Sequence, residues 1–324
     1  MATTNSTIEK IAPMFTELLI KKIECLKTDW QKPWITSLEQ GLPRNIRGTL
    51  YNGGNVLMLL FYTEFMKFTL PVFLTFNQAK EEDLSVSKGA RSFPVYYWFK
   101  FVVHKETKKT IKYEEYRKLP ATEQENYKVI PQMKYYNVFN IDQTDFAGKY
   151  PERYERMKKG EQPEDYSDRM IYEALDELVY LQNWYCPIKV QYSDSAYYSP
   201  SSDHIICPQR EQFPQGAEFY GTLLHEMAHS TGSPQRLNRT FGCFFGDALY
   251  AREELVAELT AALCGAFFGY AAVPQENNAA YLKHWLTKLK EEPAFLVEIL
   301  GDVNKAAKMI ADKVTEPVTE PAAA

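Results

Sequence analysis

The sequence predicts an α+β fold in two parts: an N-terminal α+β unit, then a mostly helical domain with a small sheet. Three observations carry that reading. In roughly the first 150 positions, helical spacing alternates with long aromatic runs of strand character. The remainder is dominated by helical periodicity. Between them, residues 150–167 are charged, contain Pro151, Gly160 and Pro163, and lack apolar periodicity, as a linker does. The expected organisation is therefore a unit over 1–149, a linker over 150–167, a domain over 168–313 and a disordered tail over 314–324.

In the front unit, Ile8, Ile11, Phe15, Leu18, Leu19, Ile23 and Leu26 recur at helical spacing, which predicts a helix over 8–26. Trp30-Gln-Lys-Pro-Trp34 interrupts it. Asn52-Gly53-Gly54 is a turn, and Asn55 is the expected cap of an apolar helix reaching about Phe68. Val72 to Leu74 reads as a short strand, and Thr75 as the cap of a helix from Phe76 to about Glu82. Phe93 to Val103 and Met133 to Phe139 read as aromatic strands. In the back half, Ser167 to Tyr185 is amphipathic and helical, and Ile188 to Tyr192 is a strand. Tyr197-Tyr198, a Ser-Pro-Ser-Ser-Asp turn and His204 to Cys207 form a hairpin. Gly216 to Ser230 and Tyr250 to Tyr270 are helices, and two more follow. The last residues repeat Val-Thr-Glu-Pro twice and end in three alanines, hence the disordered tail.

The composition is that of a globular protein: 324 residues, 45% apolar and 24% charged. No apolar run approaches the roughly 18–20 residues of a membrane span, which excludes a membrane partner. The first ten residues are polar and lack a signal-peptide core. Five cysteines (25, 186, 207, 243 and 264) are dispersed without a C-x-x-C pair, which points to reduced thiols and a cytoplasmic location. The overall charge of −5 hides an asymmetry. Residues 1–150 carry 21 basic and 16 acidic side chains, and residues 151–324 carry 16 and 26. A basic front and an acidic back suit two units with different partners.

The predicted helix over 216–230 contains His225-Glu226-Met227-Ala228-His229, in a chain with only five histidines. Histidines at i and i+4 lie one turn apart on the same face, so their nitrogens can converge on one metal ion. The Glu beside the first His can serve as general base toward water at that metal. A catalytic zinc takes three protein ligands. The metzincin pattern needs Gly at 232 and His at 235. Gly232 is present, but position 235 is Gln235, which excludes that form. Asp247 lies in a loop. On the next long helix, Glu254 and Glu258 stand at i, i+4 beside Leu255, Leu259 and Leu263. A Glu from a second helix is how gluzincins complete the site, so Glu254 is the expected third ligand. Glu258 is then an acceptor for an imidazole N–H, and Glu253 is the alternative ligand. Zn²⁺ is the expected ion, and the same donors accept Mn²⁺ or Co²⁺. The chemistry is hydrolysis of a peptide or protein amide, with Tyr197, Tyr198 and His204 as candidate oxyanion donors.

The front unit has no metal cluster, P-loop or nucleophile constellation. It mixes aromatics with Lys, Arg and Asn, and this suits single-stranded nucleic acid, which is held by base stacking and a basic groove. Candidate contacts are Trp30, Trp34, Arg44, Asn45, Arg47, Tyr51, Asn55, Lys88 and Arg91, with Tyr96-Tyr97-Trp98 nearby in sequence. The competing reading is core, since aromatics in strands are more often buried.

Two sets of motifs give the chain a family resemblance. In front, Trp30-x-x-Pro33-Trp34, Pro43-x-Asn45, Gly48-x-x-Tyr51-x-Gly53-x-Asn55, Thr75-Phe76-x-Gln78-Ala79, Lys88-Gly89 and Val138-Phe139-Asn140-x-x-Gln143 resemble the N-terminal domain of ArdC-type antirestriction proteins. Behind, the H-E-M-A-H-x-T-G run, Arg236-Leu237-x-Arg239 and Tyr250 to Glu258 resemble the zincin-like domain of the same proteins. The resemblance runs in order over about residues 8–300, with the Lys-, Glu- and Tyr-rich stretch 104–129 as a variable insertion. It implies a single-stranded-DNA-binding domain fused to a metallopeptidase-like domain, carried by mobile elements and protecting incoming DNA from host restriction. Two other readings stand beside it: a DNA-coating protein whose zinc site is structural, and a cytosolic zinc peptidase whose front domain recognises proteins.

Overall fold

The computed structural model describes residues 4–28, 32–36, 40–159, 171–242, 248–270, 272 and 282–315. The fold is α+β. The first helix, α1 (Thr4–Thr28), buries the predicted stripe Ile11, Phe15, Leu19, Ile23 and Leu26. Helix α2 (Gly54–Met66) is apolar on every side and is buried from Gly54 through Thr63, as such a helix must be. Its N-cap is Gly53, not the expected Asn55. Gly53 has φ +55, and a Cβ there would meet the Asn304 side chain at 2.5 Å, so only glycine lets the chain approach so closely.

A five-stranded sheet completes the front unit, in the order β1 (Arg44–Asn45), β2 (Val72–Leu74), β5 (Tyr127–Asn140), β3 (Phe93–His104), β4 (Thr110–Ile111). β1 and β2 are parallel, and the other pairs are antiparallel. β3 and β5 pair without interruption from Phe93↔Val138 to His104↔Tyr127, so β5 begins well before the expected Met133. The stretch 104–129 forms the far end of this ribbon, with short helices α4 (Tyr113–Tyr116) and α5 (Ala121–Gln124). Thr75 caps α3 (Phe76–Glu81) through a capping box with Gln78.

The linker expectation is corrected at its start. After α6 (Phe146–Lys149), Pro151 opens α7 (Pro151–Lys158), whose Tyr154 and Met157 pack on a small core around Phe146, Ile141 and Leu74. Arg153 pairs with Glu82, and Tyr154 donates to Asp142 at 2.7 Å. Its charges occupy the outer face while two apolar side chains dock inward. Residues 160–167 of the expected linker lie outside the described residues.

The back unit opens with α8 (Glu173–Tyr180), shorter than expected. A three-stranded sheet follows, ordered β6 (Ile188–Gln191), β8 (His204–Pro208), β7 (Tyr197–Ser199), with β6 parallel and β7 antiparallel to β8. Then come α9 (Gly216–Thr231), α10 (Ala248–Phe268), α11 (Leu282–Glu291) and α12 (Ala294–Thr315). α12 takes in Val314 and Thr315 of the expected tail, and 316–324 lie outside the described residues. One hydrophobic core runs through α1, α2, α9, α10 and α12, so the front and back units share it. Among the described residues, no helix is long and apolar enough to cross a membrane.

Candidate metal centre and nucleic-acid surface

α9 and α10 pack side by side and hold the candidate metal ligands between them. From α9, the Nε2 atoms of His225 and His229 face each other at 3.0 Å. From α10, Glu254 places its carboxylate oxygens 3.4 Å from His225 Nε2 and 3.5 Å from His229 Nε2. The three ligand atoms lie within 4.8 Å of one another. A tetrahedral ion with bonds of about 2.0–2.1 Å separates its ligand atoms by about 3.3 Å, so these separations fit a small divalent cation.

The far ring nitrogens are also placed. His229 Nδ1 lies 3.3 Å from Glu253 Oε1, and His225 Nδ1 lies 3.8 Å from Glu258 Oε1. Carboxylates behind the rings would hold the Nε2 lone pairs toward one ion. Glu253, the alternative ligand, meets the far nitrogen of His229 and not the Nε2 pair. Arg239 grips it with two bonds, Nε to Oε2 at 2.9 Å and Nη2 to Oε1 at 2.6 Å. Arg239 also donates to Ala228 O and Thr231 Oγ1 at 2.8 Å each, which locks α10 onto the end of α9. Asp247 lies outside the described residues.

Burial disfavours the charged form of each group, and the neighbours then decide the sign. Both histidines are pushed up despite burial, because Glu254 and the other carboxylates favour imidazolium. Glu254 is driven far below the usual carboxylate range by the two rings. Glu253 is lowered by Arg239 and His229. Glu226 differs: burial raises it, so it holds a proton more readily than an ordinary carboxyl. The backbone of Tyr198 on β7 lies beside it and partly opposes that rise.

β7 is an edge strand, paired among the described residues with β8 alone. Arg236 anchors its hairpin, donating to Ser230 O at the end of α9, to Asp203 and to the Tyr198 hydroxyl. The phenol of Tyr198, one of the three candidate oxyanion donors, is therefore committed to Asp203 and Arg236. His204 bonds Ser202, and Tyr197 is exposed. Arg236 and Arg239 sit in the Arg-Leu-x-Arg motif, whose spacing alone assigned neither a partner.

The nucleic-acid candidates divide sharply. Trp34 is fully buried and donates its indole N–H to Glu258 at 2.7 Å, so it has no face for a base. Asn55 is buried too. Its side chain donates to Tyr96 O at 2.7 Å and accepts from Tyr96 N at 3.1 Å, tying α2 to β3. Both are corrections: the local pattern was polar and aromatic, but the partners that bury these groups are distant in sequence. Asn45 folds a turn by accepting from the backbone N–H groups of Arg47 and Thr49. Arg44 is half-buried. Arg47, Lys88 and Arg91 are exposed, and Arg47 pairs with Glu81. Trp30 lies outside the described residues.

An exposed aromatic face lies elsewhere, on the β3–β5 ribbon. Tyr97 (45% exposed) lies 6.1 Å from both Phe99 and Tyr136 (40% exposed), and Lys134 stands 4.5 Å over the Phe99 ring. Tyr97 pairs with Lys134, and Val95 with Tyr136, so these side chains share one face. Tyr51 stands beside them: burial and the neighbouring Tyr136 push its phenol up. The alternation Tyr97-x-Phe99 was the signal for this face.

Two family models match the chain. One, described as the N-terminal domain of anti-restriction factor ArdC, matches residues 9–139, and the other, a zincin-like metallopeptidase, matches residues 173–299. Two proteins of Escherichia coli named DNA primase TraC are 28% and 29% identical, over 94% and 89% of this chain. The chain spans only 28% and 19% of their lengths. An uncharacterized protein of Sinorhizobium fredii is 27% identical over 89% of this chain and 87% of its own length. Crystal structures of the antirestriction protein ArdC from plasmid R388, metal-free and Mn(II)-bound, match at TM-scores of 0.67 and 0.65. Both are 28% identical and cover 94% of this chain and 97% or 98% of theirs. The zincin-like domain, the His–His–Glu cluster and the Mn(II)-bound relative together support a divalent metal at this centre.

Proposed function

Because the chain is an ArdC-type protein, with an ArdC N-terminal domain joined to a zincin-like domain, we propose that it is an antirestriction protein that binds single-stranded DNA and hydrolyses a peptide or protein at its metal centre. In this reading it protects DNA arriving on a mobile element. The observation that carries the hydrolytic part is the convergence of His225, His229 and Glu254 beside a buried Glu226 with raised proton affinity. His225, His229 and Glu254 would hold Zn²⁺, and Mn²⁺ or Co²⁺ suits the same donors. When bound, the ion supplies Lewis acidity toward a carbonyl and lowers the pKa of water. Glu226 takes the proton from water and returns it to the leaving amine. The edge of β7, which reaches Glu226 through Tyr198, accepts an extended substrate strand. The DNA-binding part rests on the Tyr51, Tyr97, Phe99 and Tyr136 face with Lys134, which supplies stacking surface and positive charge.

The test is entry of unmodified plasmid DNA into restricting and non-restricting cells that express the wild type or Glu226→Gln. The wild type should raise the restricting-to-non-restricting ratio, and Glu226→Gln should lose that effect while still binding metal. No protection by the wild type sinks the proposal. Full protection by Glu226→Gln leaves only the DNA-coating part standing.

A further inference from the structure

One side chain of the front unit enters the metal centre. Trp34 is completely buried, stacks at a tilt 6.2 Å from Phe61 of α2, and is fixed through its backbone N–H to Ala272 O at 3.0 Å. Its indole N–H ends on Glu258 Oε2 at 2.7 Å. The other oxygen of that carboxylate is the one 3.8 Å from His225 Nδ1. Among the described residues, His225 Nδ1 is buried without a hydrogen-bond partner.

The two histidines are thus backed in parallel ways. Behind His229, Glu253 is held by Arg239, which comes from the same domain. Behind His225, Glu258 is held by Trp34, which lies 224 residues earlier in the chain. Trp34 is a neutral donor, and its bond on Oε2 leaves Oε1 directed toward Nδ1. We propose that Trp34 is a positioning residue of the metal centre: by bracing Glu258 it sets the orientation of His225, so the front unit completes the site. This gives the second Trp of the Trp-x-x-Pro-Trp motif a role inside the back unit. The inference rests on the metal-centre reading above and adds the dependence on the front unit.

The test is metal affinity of the full-length chain, measured by competition of Zn²⁺ or Mn²⁺ against a fluorescent chelator. Trp34→Phe keeps an aromatic ring and removes only the donor and part of the indole. Trp34→Phe and Glu258→Gln should each weaken binding by about 10–100-fold, the usual cost of losing an outer partner. The double variant should bind no more weakly than Glu258→Gln alone. Wild-type affinity in Trp34→Phe, or losses that multiply in the double variant, would overturn the inference. A wild type that binds neither ion overturns the metal-centre reading and this inference with it. If Trp34→Phe does not fold, ¹⁵N-indole spectra of the wild type and Glu258→Gln decide. One indole signal should move on metal addition, and that response should vanish in Glu258→Gln. No metal-dependent indole shift, or the same shift in both proteins, refutes the coupling.

Discussion

Replacing Arg239 by Met should cost the fold about 3–5 kcal/mol, the usual penalty for stripping one partner from a buried ion pair. The pair is deeply buried: the side chains of Arg239 and Glu253 are 3% and 4% exposed. Two parallel bonds, at 2.9 and 2.6 Å, join them, and Arg239 also satisfies Ala228 O and Thr231 Oγ1. Without the guanidinium, Glu253 keeps, among the described residues, His229 Nδ1 at 3.3 Å. It must then take up a proton or break the packing of α9 on α10. At about 2–4 °C per kcal/mol, the melting temperature should fall by about 6–20 °C, read by circular dichroism on metal-free protein at neutral pH. Glu253→Leu added to Arg239→Met should recover most of that loss, since replacing both partners with apolar groups is near neutral. Metal affinity should not recover, because His229 then has no carboxylate behind it. A loss under about 1 kcal/mol in Arg239→Met, or a double variant as unstable as the single one, would refute the account.

Saturating the protein with Zn²⁺ or Mn²⁺ at about 100 times its Kd should stabilise it by about 2.7 kcal/mol, reversibly with a chelator; the same gain in His229→Ala would place the ion elsewhere. Tyr97→Ala and Tyr136→Ala should each weaken single-stranded DNA binding by about 1–3 kcal/mol in fluorescence anisotropy, and unchanged affinity in both moves the DNA off this face. Asp203 is held below the usual carboxylate range by its bond to Arg236. Its contribution is therefore complete above the unfolded carboxyl pKa of about 4 and is lost as pH falls through the lower folded value. With Asp203 about a third exposed, that contribution is under about 1 kcal/mol. Asp203→Asn should thus lower the melting temperature at pH 7 by an amount that shrinks as pH falls below about 4; a difference that stays constant as pH falls refutes the linkage. Burial pushes the Cys186 thiol up to about 11 and the Cys207 thiol up to about 12, whereas Cys25 is exposed. Iodoacetamide followed by peptide mapping should label Cys25 well before Cys186, Cys207 or Cys264, and early labelling of any of those three would contradict their burial.

What was legible in the sequence was what depends on neighbours a few residues away. Thr75 and Gln78 close a capping box on each other, so their role is written within four positions. The same holds for the two α9 histidines, whose spacing alone makes their Nε2 atoms meet. Asn55 fails by that logic. It has a capping side chain just after a glycine turn, yet it bonds the backbone of Tyr96, 41 residues on, and Gly53 takes the cap position. Trp34 fails for a stronger reason. An aromatic beside Pro and Lys reads as surface only until Glu258, 224 residues away, supplies its partner. The start of the expected linker reads wrongly because its many charges mask Tyr154 and Met157, which are enough to dock α7.

The three glutamates of α10 show where that boundary falls within one site. Glu253, Glu254 and Glu258 belong to one short run of sequence, and all three are buried. Helical geometry explains why all three can reach the histidines: successive residues point about 100° apart, and residues four apart point nearly the same way. Geometry does not by itself divide them into one candidate ligand and two braces. That division comes from what meets each carboxylate. Arg239 takes both oxygens of Glu253, and Trp34 takes one oxygen of Glu258. Glu254 presents its two oxygens to the two Nε2 atoms instead. Arg239 comes from the loop after α9, and Trp34 from the front unit. The arrangement of the centre is therefore a property of the whole chain, which is also why the histidine helix and α10 could be read locally while their supports could not.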